Sequence, residues 1–159
     1  MKINLYALRA IYLHEMDRFR RTLTQSVLSP VLTTSLYFIV FGSVIGGYVE
    51  KIDGISYGSY IVPGLLMLTL LTQSISNTSF GIFFPKFNGT IYEILAAPIS
   101  TLEVVLAFVG AGATKTLIVS IIIFITSLFF VDVQVKYPLL MIFLLILVAF
   151  TFALFGFLI

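Results

Sequence analysis

Side chains that could catalyse a reaction are scarce in this sequence. The chain has one histidine, His14, and no cysteine, so it offers neither a thiolate metal site nor a cysteine nucleophile. His14 lies beside Glu15 in a charged stretch, which is typical of a solvated or interfacial histidine. The long apolar segments contain no pair of Asp or Glu residues, so a proton relay across a membrane is not expected. The sequence therefore predicts no catalytic, cofactor or metal site, and a protein that is not an enzyme.

One glycine-rich segment, GAGATKT at residues 110–116, is similar to a phosphate-binding loop. The Walker pattern places one glycine directly before its lysine and another five residues earlier. Thr114 and Val109 occupy those two positions here. Nucleotide binding by this chain is therefore not predicted, and the small net charge of +2 gives no indication of nucleic-acid binding.

Apolar segments dominate the sequence and must supply its architecture. Hydrophobic residues make up 60% of the chain and charged residues 10%, with a mean hydropathy of +1.14, whereas a soluble domain carries about 25% charged residues. Charged side chains separate four long apolar runs, each able to supply about 20 residues of membrane-spanning helix. The predicted spans are Val27–Tyr48, Tyr60–Phe83, Gly112–Phe130 and Leu139–Ile159. We therefore predict an all-α, polytopic membrane protein with four transmembrane helices.

An amphipathic helix is predicted within residues 1–24, ahead of the first span. Its apolar residues recur at spacings of three and four: Leu5, Leu8, Tyr12, Met16 and Phe19. Its basic residues fall largely off that stripe: Arg9, Arg18, Arg20 and Arg21. Such a helix is typical of the membrane interface, and a plain solvated lead-in is the alternative. The excess of Lys and Arg before the first span predicts a cytoplasmic N-terminus.

Lys115 is the one charged residue between Val104 and Val131. A lysine near the centre of the bilayer would cost several kcal/mol. If its helix enters the membrane near Gly112, the aliphatic stem can instead reach the headgroups. We therefore expect Lys115 to snorkel to the headgroup region, with a functional intramembrane cation as the alternative.

A short, half-polar segment, NGTIYEILAAPIS at residues 88–100, interrupts the apolar runs. Thr90 and Glu93 have the spacing of a capping box, which predicts that a helix begins there. Pro98 disfavours a helical conformation at the preceding residue, so the helix is expected over Ile91–Ala97.

The connection that contains this helix, residues 86–103, is longer than a passive connection needs to be. The charge of the leader places it in the cytoplasm. Ser100 or Thr101 can cap the third span, with Glu103 in its first turn. The short helix either packs on the helix ends of its own chain or presents a protrusion to a soluble partner.

The second span contains many uncharged polar side chains in its later half. Thr72, Gln73 and Asn77 are candidates to line a path for a substrate. Hydrogen bonds between helices, worth about 0.6 kcal/mol each, are the alternative use of the same residue types.

Three segments resemble the ABC-2 type transporter permeases, in the same order along the chain. Residues 88–100, followed by Glu103, are similar to the cytoplasmic loop of that family. SPVLTTSLYFIVFG at 29–42 and YIVPGLLM at 60–67 are similar to its first two helices. The resemblance covers nearly the whole chain.

This resemblance implies the permease subunit of an ATP-binding cassette exporter in the bacterial inner membrane. Such a permease pairs with a second permease copy and with separate ATP-binding subunits, which hold the ATP and Mg²⁺. The leader corresponds to the interface helix of the family, and residues 86–103 correspond to the coupling helix that contacts the ATPase. The implied coupling residues are Gly89, Thr90, Tyr92, Glu93, Pro98 and Ser100.

The family has six membrane helices, whereas four are predicted here. We therefore expect the chain to be the first part of a six-helix transmembrane domain, truncated at its C-terminus. A membrane scaffold without transport activity is the alternative function, and a secondary carrier is a third. A carrier would usually show intramembrane charges or broken helices in matching halves, and the sequence contains no such pair.

Overall fold

Six α-helices make up the protein in a computed structural model that describes residues 4–45, 56–131, 133 and 135–159. They are α1 (Leu5–Arg21), α2 (Leu23–Tyr37), α3 (Tyr57–Phe87), α4 (Ile91–Ala96), α5 (Thr101–Phe130) and α6 (Pro138–Leu158). A π-helix over Phe38–Ile45 continues α2. No strand occurs among these residues, so the all-α prediction is confirmed.

Four helices in the described part of the chain are long and apolar enough to cross a membrane, which confirms the predicted number of spans. They cover Leu23–Phe41, Tyr57–Phe87, Thr101–Phe130 and Pro138–Leu158. The last residues of the predicted first span, 46–48, lie outside the described residues.

Four of the predicted span limits are wrong by three residues or more. The first span begins at Leu23 and not at Val27, and the second begins at Tyr57 and not at Tyr60. The third span begins at Thr101 and not at Gly112, and the second continues past Phe83 to Phe87. The second helix continues past the uncharged run to include Lys86, and the third was expected to begin at Gly112 only because that start let Lys115 reach the headgroups. Their extensions lie at the two ends of the connection that contains α4.

The close contact between α3 and α6 depends on small side chains of α6. Ala149, Ala153 and Gly156 are buried along one side of that helix. A β-carbon on Gly156 would lie 2.5 Å from the carbonyl oxygen of Ile75 in α3. Glycine therefore lets the two backbones approach each other, as small residues do in other pairs of membrane helices.

α5 is the central helix of the bundle. It packs against α1, α2, α3 and α6, and its buried residues extend from Glu103 to Ser127. One buried apolar cluster joins Ile123 of α5 with Phe19 of α1 and Phe38 of the π-helix. A displacement of α5 would therefore reach most of the bundle.

Candidate functional site

α4 is separated from the two longest helices by two backbone features. Gly89 has φ +78°, a left-handed conformation that glycine adopts without a steric penalty. Ala97 is extended, with φ −72° and ψ 148°, as expected for a residue that precedes proline. Pro98 therefore ends the helix as predicted, and α4 stops at Ala96, one residue before its predicted end.

The capping box forms at the start of α5 and not at the start of α4. Thr90 has helical angles, φ −62° and ψ −18°, and makes no side-chain cap hydrogen bond with a described residue. An N-cap residue normally has extended angles, which direct its side chain at the first N–H groups. The predicted box of Thr90 and Glu93 is therefore wrong.

Ser100 is the N-cap of α5, as predicted. The Glu103 N–H donates to the Ser100 hydroxyl at 3.4 Å, and the Ser100 N–H donates to Glu103 Oε2 at 2.9 Å. These two bonds satisfy donors that the first turn of a helix otherwise leaves unpaired. The cap fixes the direction in which α5 leaves the connection after α4.

α4 differs between its two sides. Ile91 and Ile94 pack against a buried apolar cluster formed by α3 and α5. On the other side Tyr92 is 73% exposed and Leu95 is 68% exposed, and Glu93 is exposed as well. None of the six residues of α4, all of them described, is buried. α4 is thus attached to its own chain along one side and open to a partner along the other.

The apolar stripe predicted for α1 faces the bundle more closely toward its C-terminal end. Leu5 is exposed, and Phe19 is buried. The three residues between them are half-buried: Leu8, Tyr12 and Met16. The predicted amphipathic helix is therefore confirmed, and its later turns provide most of the packing.

Most of the basic residues of α1 point away from the bundle. Three of the four predicted ones are exposed: Arg9, Arg20 and Arg21. Arg20 forms an exposed pair with Asp17 at 3.9 Å, of the kind that contributes about 0.3–0.5 kcal/mol. Arg18 is half-buried, with Nη1 3.2 Å from Glu15 Oε1 and its guanidinium 5.4 Å from the centre of the Phe84 ring.

Besides the bond from Lys115 to Glu15, two hydrogen bonds connect α1 and its N-cap residue Asn4 with α5. The Asn4 N–H donates to Glu103 Oε1 at 2.5 Å, and the Tyr12 hydroxyl donates to Thr114 Oγ1 at 3.0 Å. Glu103 therefore belongs both to the cap of α5 and to the beginning of α1. Sequence reasoning found the cap and missed the contact with Asn4, because the two residues are 99 positions apart.

Lys115 does not snorkel to the headgroups, and that expectation is wrong. Its Nζ lies 2.7 Å from Glu15 Oε2. Glu15 is 2% exposed and Lys115 is 3% exposed, because α1 covers the route that the ammonium would take to water. Gly81 of α3 faces the carboxylate, and even a β-carbon there would lie 3.5 Å from Glu15 Oε2. A buried ammonium with a carboxylate partner avoids the penalty of an isolated charge.

A signal for this pair was present in the sequence, although it was incomplete. An isolated lysine in an apolar run requires an acidic partner, and the chain has only seven acidic residues. Glu15 lies close to the apolar stripe of α1, between Tyr12 and Met16. The choice of Glu15 as the partner required the packing of α1 against α5, which no local pattern encodes.

A cavity of about 370 Å³ lies between α1 and the connection that contains α4. The residues lining it are His14, Glu15, Arg18, Thr22, Phe84, Pro85, Asn88 and Thr90. Arg18 from the predicted interface helix and Thr90 from the predicted coupling loop thus share one surface. Among the described residues, no group of three or more His, Cys, Asp or Glu side chains could hold a metal.

The three candidate path residues lie on α3 in different surroundings. Thr72 is exposed, and its hydroxyl donates to the Leu68 carbonyl at 2.9 Å. Asn77 Nδ2 donates to Gln73 Oε1 at 3.4 Å and to Thr116 Oγ1 of α5 at 3.3 Å. Asn77 therefore makes the interhelical hydrogen bond that was the alternative to path lining, whereas Thr72 faces outward.

Comparisons with known proteins place these features in a family. The family model described as ABC-2 type transporter matches residues 6–159. The chain is 40% identical over 129 residues to the inner membrane transport permease YadH of Escherichia coli strain K12, and equally so to the proteins of that name in E. coli O157:H7 and Shigella flexneri. The alignment covers 81% of this chain, which spans about half, 50%, of the length of these curated relatives. No solved structure matches the chain.

Proposed function

The chain belongs to the ABC-2 type transporter family, and on this premise we propose that it forms part of the permease subunit of an ATP-driven exporter. A separate ATP-binding subunit binds ATP and Mg²⁺, since the glycine-rich segment of this sequence lacks the Walker spacing. The chain itself binds no cofactor and catalyses no reaction. Its task is to form the route across the membrane and to respond to the ATPase.

The observation that carries this proposal is the open outer side of α4. Tyr92 and Leu95 provide an aromatic and an aliphatic side chain that together can enter a groove of a soluble partner. Glu93 lies beside them and is exposed, so it can pair with a basic side chain at the rim of that groove. α4 is therefore the coupling helix in this proposal.

The other coupling residues shape the backbone around α4. Gly89 permits the turn that begins the segment, and Pro98 ends the helix. Thr90, at the N-cap position, lines the cavity beside α1 and extends the contact surface toward that helix. Ser100 connects the segment to α5 through the capping box. A force on α4 therefore acts on α5 through the chain and on α3 through the apolar side of α4.

The orientation in the membrane follows from the charges near α1. Arg9, Arg18, Arg20 and Arg21 precede the first span, and cytoplasmic segments carry an excess of such residues. We place the N-terminus, α1 and α4 on the cytoplasmic side, where an ATPase can reach them. The E. coli relatives are inner membrane transport permeases by name, which supports the bacterial inner membrane as the location. Exposed apolar side chains along α6 suit contact with lipid.

A second copy of the permease completes the route for the substrate in this proposal. The exposed side of α3 carries Gly64, Leu68, Thr72 and Ser76 at intervals of four residues. Small and hydroxyl-bearing side chains suit a surface that faces another subunit or a polar path better than one that faces lipid. Thr72 lines that path, with Gln73 and Asn77 at its edge.

A charge reversal on α4 tests the coupling role. We expect Glu93→Lys to weaken co-purification of the ATP-binding subunit with the intact permease, because the exposed carboxylate lies at the proposed contact. Lys136→Glu reverses an exposed charge beyond the opposite end of α5 and is the matched control. Thermal unfolding of both variants checks that the membrane domain remains folded. Unchanged recovery of the ATPase with Glu93→Lys would contradict the proposal.

A further inference from the structure

We propose that α1 and the first half of α5 move as one rigid body, and that the buried ion pair between Glu15 and Lys115 locks them together. This inference rests on the proposed function only in assigning the movement to an ATPase. The attachment of the two helices is a separate claim. According to this claim, α1 does not lie passively on the membrane surface and moves together with α5.

The contacts between the two helices advance in the same direction along both. Asn4 bonds to Glu103, Tyr12 to Thr114, and Glu15 to Lys115. At a helical rise of 1.5 Å per residue, the contacts extend over about 16 Å of α1 and about 18 Å of α5. These similar lengths indicate that the helices run side by side over this distance. The contacts of Tyr12 and Glu15 lie within one helical turn, so α1 is held at two levels, at Asn4 and at this turn. A helix held at two separated levels cannot pivot freely about either one.

The ion pair is the strongest of the three contacts. Lys115 Nζ lies 2.7 Å from one carboxylate oxygen of Glu15, and Arg18 Nη1 lies 3.2 Å from the other oxygen. Separation of α1 from α5 would leave the Lys115 ammonium unpaired in an apolar bundle, which is strongly unfavourable. The pair therefore opposes any motion that draws the two helices apart.

Both ends of this body adjoin the coupling segment. Glu103 belongs to the capping box that follows α4, and its other oxygen accepts the Asn4 N–H of α1. At the other end Arg18 lines the cavity that Thr90 also lines. A displacement of α4 is therefore transmitted to α5 through the cap and to α1 through Glu103. Because α1 leads directly into α2 after Thr22, the first span is displaced together with the third.

The first experiment tests the lock without any partner. We expect Glu15→Gln and Lys115→Met each to lower the thermal unfolding midpoint of the purified protein by several degrees. The first variant leaves the buried Lys115 ammonium without a partner, and the second leaves the buried Glu15 carboxylate with Arg18 alone. The double variant Glu15→Gln/Lys115→Met should recover most of that loss. Asp17→Asn and Arg20→Gln remove an exposed pair on the same helix and should leave the midpoint unchanged. Equal midpoints for Glu15→Gln and Asp17→Asn would overturn the proposal.

The second experiment tests whether the helices stay together during the transport cycle. Glu15→Cys/Lys115→Cys adds two thiols to a sequence that has no cysteine, and a short bifunctional thiol-reactive reagent can bridge them. If α1 and α5 form one body, the cross-linked permease should sustain ATP hydrolysis by its co-purified ATPase at the level of the uncross-linked protein. Loss of that hydrolysis on cross-linking would overturn the proposal, because it would mean that the helices must separate. If wild-type permease recovers no ATPase, the proposed function fails, while the unfolding data still decide the lock.

Discussion

α4 and the junction of α1 with α5 adjoin each other in the bundle, yet they are built in opposite ways. α4 is short, none of its described residues is buried, and its most prominent side chains point outward. The junction contains an ion pair whose members are 2% and 3% exposed, with two hydrogen bonds beside it. A surface that binds a partner needs free side chains, whereas a part that transmits force needs side chains already bound to each other. Substitutions should therefore reduce stability at the junction and partner binding at α4.

The largest expected effect is a charge reversal at the junction. Lys115→Glu places a second carboxylate beside Glu15 in the same buried space, and we expect a loss of roughly 3–5 kcal/mol in the free energy of unfolding. Expression and size-exclusion profiles in detergent measure the loss of folded protein. The exchange Glu15→Lys/Lys115→Glu restores opposite charges and should recover part of the folded fraction. A folded, monodisperse Lys115→Glu protein would show that the junction does not hold the helices.

A smaller effect is expected where the backbone turns into α4. Gly89 has φ +78°, and a β-carbon added there would have no atom within 4 Å, so Gly89→Ala adds backbone strain of about 1–2 kcal/mol and no collision. We expect a modest fall in the thermal midpoint and weaker recovery of the ATPase. Gly64→Ala makes the same substitution within α3, also in open space and without a positive φ, and should not lower the thermal midpoint. Equal behaviour of the two variants would mean that the turn at Gly89 does not position α4.

The smallest effect on stability is expected at the outer side of α4. Leu95→Ala removes a side chain that contacts little of its own chain, so the free energy of unfolding should change by less than about 0.5 kcal/mol. The affinity for the ATPase should fall, which titration of the purified partner measures. Leu102→Ala is the matched control, because Leu102 is 65% exposed and Leu95 is 68% exposed. A lower free energy of unfolding with unchanged affinity for the ATPase would show that Leu95 stabilises the fold and does not bind the partner.

Local sequence signals predicted α4 almost completely. Its end is set by Pro98, and its beginning follows Gly89 closely, so the predicted limits were within one residue. The capping box shows where such signals are ambiguous. Thr90 with Glu93 and Ser100 with Glu103 have the same spacing, and the extended backbone at Ser100 determines which box forms. The spacing of a capping box shows that two side chains can cap a helix, and the φ and ψ angles of the N-cap residue determine whether the hydrogen bonds form.

The junction could not be predicted in the same way. Lys115 was correctly recognised as unusual, but its partner lies 100 positions away on a helix whose packing the sequence pattern does not specify. The start of α5 was misplaced for a related reason. The start was placed at Gly112 so that Lys115 could reach the headgroups, although the residues from Val104 to Ala111 are uncharged as well. The pairing of Lys115 with Glu15 removes the reason for that placement. Prediction therefore succeeded for features determined by neighbouring residues and failed for those determined by tertiary contacts.

The length of α3 has a mechanical consequence. Its 31 residues span about 46 Å, whereas the hydrocarbon layer is about 30 Å thick. Lys86 lies in the last turn of α3, next to α4, and a charged side chain is most stable outside the hydrocarbon layer. α4, which connects the ends of α3 and α5 on that side, therefore lies outside the hydrocarbon layer. In the function proposed above, a thicker or thinner bilayer would alter the distance between α4 and the lipid and leave the shape of its exposed side unchanged.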